Sequence, residues 1–307
     1  MKKRGLQRKN SAAALFCDSP QYQALAIWSG MSEDCRAGEK KGRVMNRKAL
    51  FFDIDGTLLS EETKQIPQSA KDALKEARKN GHLVFINSGR SYILVKPIMK
   101  EIEADGCLCG CGTCIVVGDE IVYSYHIPHE RGNEIKRSLL AHEMDGTLEG
   151  VEGCYFRKEH SWMPFMEKMR RSIAKQGAMS SYFWEDDCYE YDKFCAVADE
   201  SSDKEGFFET IRDDFTIIDR GGNFYECVPK GHSKATAIQW VLDRYGLTLD
   251  DAWVFGDSTN DLPMFEFARH AVLMGRHDAE LEPYATFVTK TVEEDGIAWA
   301  MKKLGII

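Results

Sequence analysis

The run Lys48-Ala-Leu-Phe-Phe-Asp53-Ile-Asp55-Gly56-Thr57-Leu58-Leu59 constrains this chain more than any other stretch. Ala49, Leu50, Phe51, Phe52 and Ile54 form an apolar run broken only by Asp53, the pattern of a strand buried on both faces of a parallel sheet. Two carboxylates at its carboxyl end, followed by a glycine that lets the chain turn, sit where α/β sheets place their ligands. Residues two apart on a strand share a face, so Asp53 and Asp55 can address one site if extended geometry continues. Taken alone, an Asp-x-Asp is more often a strand end with two solvated acids.

The same strand-then-polar rhythm recurs. Residues 66–81 read as a helix, with Pro67 in its first turn, Ala70, Ala73, Leu74 and Ala77 as its apolar stripe, and Gly81 as a left-handed cap. His82–Asn87 follows as a second buried strand, and Ser88-Gly89-Arg90 opens a helix over about 91–103, where a hydroxyl and free N–H groups suit a phosphate. Short strands fill 106–127, with a hairpin turn around Gly118. Residues 128–218 change character, mixing helices (130–143, 162–175) with short strands (194–198, 215–218), as expected of a separate α+β module. The core is expected to resume from 219, near Phe224–Pro229. Ser233 caps a helix that buries Ala237, Ile238, Val241, Leu242 and Tyr245. A further apolar strand, Ala252–Phe255, runs into Gly256-Asp257-Ser-Thr-Asn260-Asp261, whose two aspartates stand one helical turn apart. Later strands at 271–275 and 286–290 and a final helix complete an α/β architecture.

In that order, Asp53-Ile-Asp55-Gly-Thr57, Ser88, Lys230-Gly-His-Ser-Lys234 and Gly256-Asp257-Ser-Thr-Asn260-Asp261 resemble the four motifs of the haloacid dehalogenase (HAD) superfamily, most closely its Cof-like group. The resemblance covers about 48–307 and is loosest in the inserted module. It implies a Rossmann-like parallel-sheet core over 48–127 and 219–307, with 128–218 as a type IIB cap. It also implies a Mg²⁺-dependent phosphatase acting on small phosphomonoesters, a sugar phosphate or similar metabolite, through an aspartyl-phosphate. Asp53 would then be the nucleophile and Asp55 the general acid and base. Ser88, Gly89, Lys234 and Asn260 would bind phosphate, with Lys230 a weaker candidate. Thr57 would orient Asp55, and Arg90 would hold the substrate or the loop. The metal would take the Asp53 carboxylate, the Asp55 backbone carbonyl and Asp257, with Asp261 binding through water or orienting the shell. Asp145-Gly-Thr-Leu148 repeats part of the first motif, but no apolar strand precedes it and the leading Asp is missing. That similarity is coincidental.

Composition narrows the classes further. A chain of 307 residues with 43% hydrophobic and 29% charged residues has the balance of an ordinary globular protein. The formal net charge is −9, yet residues 1–48 hold eleven Lys or Arg against four Asp or Glu, so the body is strongly acidic. An acidic body argues against a nucleic-acid groove. No apolar run approaches the roughly 20 residues of a membrane span, and Ala12–Phe16 is too short for an export signal, whose apolar region runs to about 7–15 residues. Residues 1–47 read as a basic, disordered extension, and the protein as cytoplasmic, with its ten cysteines as thiols. Cys107-x-Cys109-x-Cys111-x-x-Cys114 matches no paired zinc spacing; Cys107, Cys109 and Cys111 alternate like one buried strand face. Trp162, Tyr182 and Trp184 either line the cap's inner face or belong to ordinary core, and the oligomeric state is left open. Two rivals carry similar acids: a phosphomutase, which would release no free phosphate, and a phospho-acceptor or ligand sensor, which would not turn over.

Overall fold

The computed structural model describes residues 47–307; the basic extension lies outside the described residues except for Arg47. In chain order the strands are β1 (Ala49–Phe52), β2 (Leu83–Asn87), β3 (Gly106–Cys109), β4 (Cys114–Val117), β5 (Glu120–Ser124), β6 (Asp145–Glu149), β7 (Cys154–Tyr155), β8 (Lys193–Val197), β9 (Phe215–Asp219), β10 (Phe224–Pro229), β11 (Ala252–Gly256), β12 (His270–Leu273) and β13 (Phe287–Val288). They form two sheets, one in the order β13-β12-β11-β1-β2-β3-β4-β5 and the other β7-β6-β8-β10-β9.

The larger sheet is parallel from β13 to β3 and closes with the antiparallel pairs β3–β4 and β4–β5. Every residue of β1 and β2 is buried, which is why these runs carry no polar alternation. Helices α1 (Gln68–Lys79) and α2 (Tyr92–Met99) make the crossovers. Ala70, Ala73, Leu74 and Ala77 are the buried stripe of α1, and Gly81 takes a φ of 88° just past its end. The hairpin between β4 and β5 turns through Gly118 at φ 60°. Cys107, Cys109 and Cys114 pack into the apolar core of this layer, where burial pushes the Cys109 and Cys114 thiols up. Cys111 departs from that face, sitting in a turn at φ 54° with its thiol on Glu226.

The smaller sheet is antiparallel throughout. Helices α3 (His129–Ala141), α4 (Pro164–Lys175) and α5 (Lys204–Ile211) accompany it, close to the helices expected at 130–143 and 162–175. Leu148, Phe194, Tyr225 and Cys227 pack with Ile135, Leu139, Phe207 and Ile211 in its apolar core. Trp184 belongs to that core, whereas Trp162 and Tyr182 are exposed. One boundary moves. The sequence returned the chain to the core at 219, but β10 lies in the smaller sheet, paired to both β8 and β9. The apolar alternation of Tyr225 and Cys227 fits either sheet, and only pairing decides between them. Asp145-Gly-Thr-Leu148 likewise proves to be part of β6, far in role from the first motif.

Chain re-entry to the larger sheet follows α6 (Lys234–Tyr245), whose Ser233 side chain accepts from Thr236 N in a capping box. Helices α7 (Leu262–Phe267) and α8 (Gly296–Lys303) complete the layer. Among the described residues, no helix is long and apolar enough to cross a membrane.

Candidate active site

The site forms at the carboxyl ends of β1 and β11, which are neighbours in the larger sheet. Asp53 still follows sheet register, its N–H donating to Phe255 O at 3.0 Å. The chain then folds on itself: the N–H groups of Thr57, Leu58 and Leu59 all donate to Ile54 O. Gly56 adopts φ 80°, and a Cβ there would lie 2.3 Å from Asp257 Oδ2, so only glycine lets the loop approach this carboxylate. Extended geometry therefore ends at Ile54, and Asp53 and Asp55 turn to different partners.

Asp53 Oδ1 receives Lys234 Nζ at 2.5 Å, and the same ammonium reaches Asp261 Oδ1 at 2.5 Å. All three side chains are buried. Asp261 is fixed on its other oxygen too, since Oδ2 accepts from Asp257 N at 2.9 Å and Ser258 N at 3.1 Å. A lysine in the first turn of α6 opposes the helix dipole, and two carboxylates in contact with it remove that penalty. Burial works against the Lys234 charge, but Asp261 and Asp53 outweigh it and hold the ammonium well above its ordinary range.

Asp257 completes an acidic cluster, with ligand oxygens of Asp53, Asp257 and Asp261 all within 4.8 Å of one another. Its Oδ1 accepts the Thr57 hydroxyl at 2.7 Å. Here the sequence reading is corrected: Thr57 orients Asp257, not Asp55, because the loop turn carries its side chain across to β11. Burial first, then Asp53 and Asp261, pushes Asp257 up to about 8. Burial, with Asp261 and Asp55 adding to it, pushes Asp53 up to about 7 against the pull of Lys234. With all three carboxylates ionised, one ammonium leaves two excess negative charges in a mostly buried, all-oxygen donor set. That set fits one hard divalent cation.

Asp55 stands apart from the cluster. Its carboxylate is gripped by Arg90, with Nη2 2.5 Å from Oδ1 and Nε 2.8 Å from Oδ2. Arg90 thus ties the end of β2 to the loop after β1. Ser88 is buried at the end of β2, its Oγ accepting from Arg90 N at 3.2 Å. At Gly89 a Cβ would meet Glu226 Oε1 at 2.8 Å. Asn260 is buried beside Asp261, and its Oδ1 accepts from Ser258 Oγ at 2.9 Å. Lys230 lies outside this group and is exposed. A cleft of about 240 Å³, lined in part by Gly56, Asp257, Ser258 and Arg276, opens beside Asp257. The smaller sheet also carries buried charge that the sequence reading did not single out, Glu149, Lys193 and Glu226; the signal was a lysine opening the otherwise apolar strand β8.

The fold and these strand-end acids are those of a phosphoryl-transfer hydrolase, and the chain belongs to the haloacid dehalogenase-like hydrolase family, whose model matches residues 50–301. Among its relatives is YkrA of Bacillus subtilis (strain 168), provisionally named a phosphatase, 32% identical over 86% of this chain and 100% of that protein. YwtE of the same organism, named a 5-amino-6-(5-phospho-D-ribitylamino)uracil phosphatase, is 26% identical over 84% of this chain and 98% of its own length. Of solved structures, the HAD subclass IIB sugar phosphatase BT4131 is similar with a TM-score of 0.73 and 27% identity, covering 85% of this chain and 100% of that one. The protein is a phosphatase of this family with an acidic site suited to a divalent metal.

Proposed function

We propose that the chain is a Mg²⁺-dependent, cytoplasmic phosphatase that hydrolyses small phosphomonoesters, a sugar phosphate or similar metabolite, through an aspartyl-phosphate on Asp53. The observation that carries this reading is the contact of Lys234 with both Asp53 and Asp261 beside Asp257. It holds one Asp53 oxygen and leaves Oδ2 to attack phosphorus. When bound, Mg²⁺ would take the Asp53 carboxylate, the Asp55 backbone carbonyl and Asp257, and would offset the repulsion between carboxylate and phosphate dianion.

In the first half-reaction an Asp53 oxygen lone pair forms a bond to phosphorus as the ester P–O bond breaks, and Asp55 gives its proton to the departing alkoxide. In the second, Asp55 removes a proton from water, the water oxygen bonds to phosphorus, and the Asp53–phosphorus bond breaks to release phosphate. Ser88, the Gly89 N–H, Lys234 and Asn260 are proposed to bind the phosphoryl oxygens, where transition-state charge spreads. Asp55 can act only when Arg90 releases it, so substrate oxygens would replace it as the Arg90 partner. Residues 128 to about 229, with their own sheet, would form the cap that excludes water from the site.

The test is phosphate release from a phosphoester panel with and without Mg²⁺. Metal-dependent release is expected, and it separates hydrolysis from mutase activity. A protein inert toward the whole panel, or an Asp53→Asn variant as active as the parent, would sink the reading.

A further inference from the structure

One face of the smaller sheet is charged and buried. Cross-strand partners share a face, and the pairs Glu149–Lys193, Thr147–Cys195, Cys195–Glu226 and Glu226–Ile218 put Glu149, Thr147, Lys193, Cys195 and Glu226 together. Lys193 Nζ lies 2.8 Å from Glu226 Oε1 and 3.1 Å from Glu149 Oε2, and its side chain is only 2% exposed. Cys195 donates to Glu149 Oε1 at 3.3 Å. The opposite face of the same sheet is an ordinary apolar core, so the layer does not need these charges to fold. Replacing a buried ion pair by apolar residues is commonly neutral or stabilising. A chemical role is the better account.

This face adjoins the catalytic loop. Glu226 Oε1 accepts from Cys111 Sγ at 3.5 Å, and it stands 2.8 Å from where a Gly89 Cβ would be. Arg220, two residues beyond Ile218, is half-buried; burial opposes its charge, but Glu226 first and Asp53 next outweigh that and raise its pKa. Its Nη1 is out of reach of solvent and has no hydrogen-bond partner. Lys193 and Arg220 together balance Glu149 and Glu226. A second anion placed here would be buried without net compensation, whereas a hydroxyl, needing one donor and one acceptor, meets both.

We propose that Arg220 and Glu226 are specificity-determining residues that read hydroxyl groups of an uncharged, polyhydroxylated leaving group, with Lys193 as the positioning residue that fixes Glu226. The inference rests on the phosphatase reading above. It is tested with glucitol 6-phosphate and 6-phosphogluconate, which differ only in a terminal hydroxymethyl or carboxylate, beside p-nitrophenyl phosphate. The parent protein is expected to favour the hexitol ester in kcat/KM by more than about 100-fold. Glu226→Gln removes one negative charge, and should raise KM for the hexitol ester while shrinking the preference at least about tenfold. Arg220→Gln, at a hairpin end and less demanding of the fold, should raise the same KM without improving the acid. Turnover of p-nitrophenyl phosphate with no preference between the two hexose derivatives overturns the assignment and leaves the phosphatase reading standing. So does an unchanged preference in both variants. No phosphate release from any of the three overturns both.

Discussion

Thr57 donates its hydroxyl hydrogen to Asp257 Oδ1 at 2.7 Å although 200 residues separate them. The bond ties the loop after β1 to the loop after β11, and so joins the first and last polar strand ends of the chain. Groups behind a metal ligand commonly govern affinity by about 10–100-fold. Thr57→Val is therefore expected to weaken Mg²⁺ activation by that order at nearly unchanged saturated rate. A Mg²⁺ titration of activity checks it, and an unshifted midpoint would contradict the role given to Thr57.

Asp53→Asn should lower turnover by at least about 10³-fold, as expected for loss of a nucleophile. Its thermal midpoint should not fall, because the ionised Asp53 carboxylate is disfavoured where it sits. A melting curve beside the activity assay separates loss of chemistry from loss of fold.

Lys234→Met leaves Asp53 and Asp261 buried without their cation. Breaking one side of such a cluster costs about 3–5 kcal/mol, and urea denaturation should show a loss of that order together with inactivity. A variant as stable as the parent would mean that Lys234 is not the ion holding these acids together.

The pH dependence follows from two raised acids. Asp53 near 7 and Asp257 near 8, against an ordinary 3.8, bind their protons more tightly folded than unfolded. Stability from these groups is full below the unfolded value and drains away as pH rises through about 7 and about 8. The metal-free thermal midpoint is thus expected to fall between mildly acidic and alkaline pH, less steeply in Asp257→Asn. Millimolar Mg²⁺ should restore it at the alkaline end. Calorimetry across pH with and without the ion tests this.

Gly56→Ala combines a left-handed φ of 80° with a Cβ 2.3 Å from Asp257 Oδ2. Strain of this kind costs on the order of 1–3 kcal/mol, and the loop must move off Asp257 to relieve it. Reduced stability and a weakened response to Mg²⁺ are expected together, read by thermal melting and metal titration. A normal metal response would show that the close approach is dispensable.

Local sequence by itself determined much of this protein. The apolar runs ending at Asp53, Asn87 and Gly256 read as strands of a parallel sheet from their composition and length, with their polar ends at one edge, and they are β1, β2 and β11. Ser233 before Lys234 set the start of α6, and Gly118 set a hairpin. Such signals are short-range, carried by backbone conformation and by the period of burial. Only the tertiary structure decided which partner each polar side chain found. Thr57 went to Asp257, Arg90 to Asp55, and Lys234 to Asp53 and Asp261 because β11 and β2 flank β1 in the sheet order. The place of β10 in the smaller sheet was likewise beyond the sequence, as was the burial of Lys193 between Glu149 and Glu226. A charged residue in a strand looks the same on paper whether it faces water or two carboxylates, and only long-range packing removes the water.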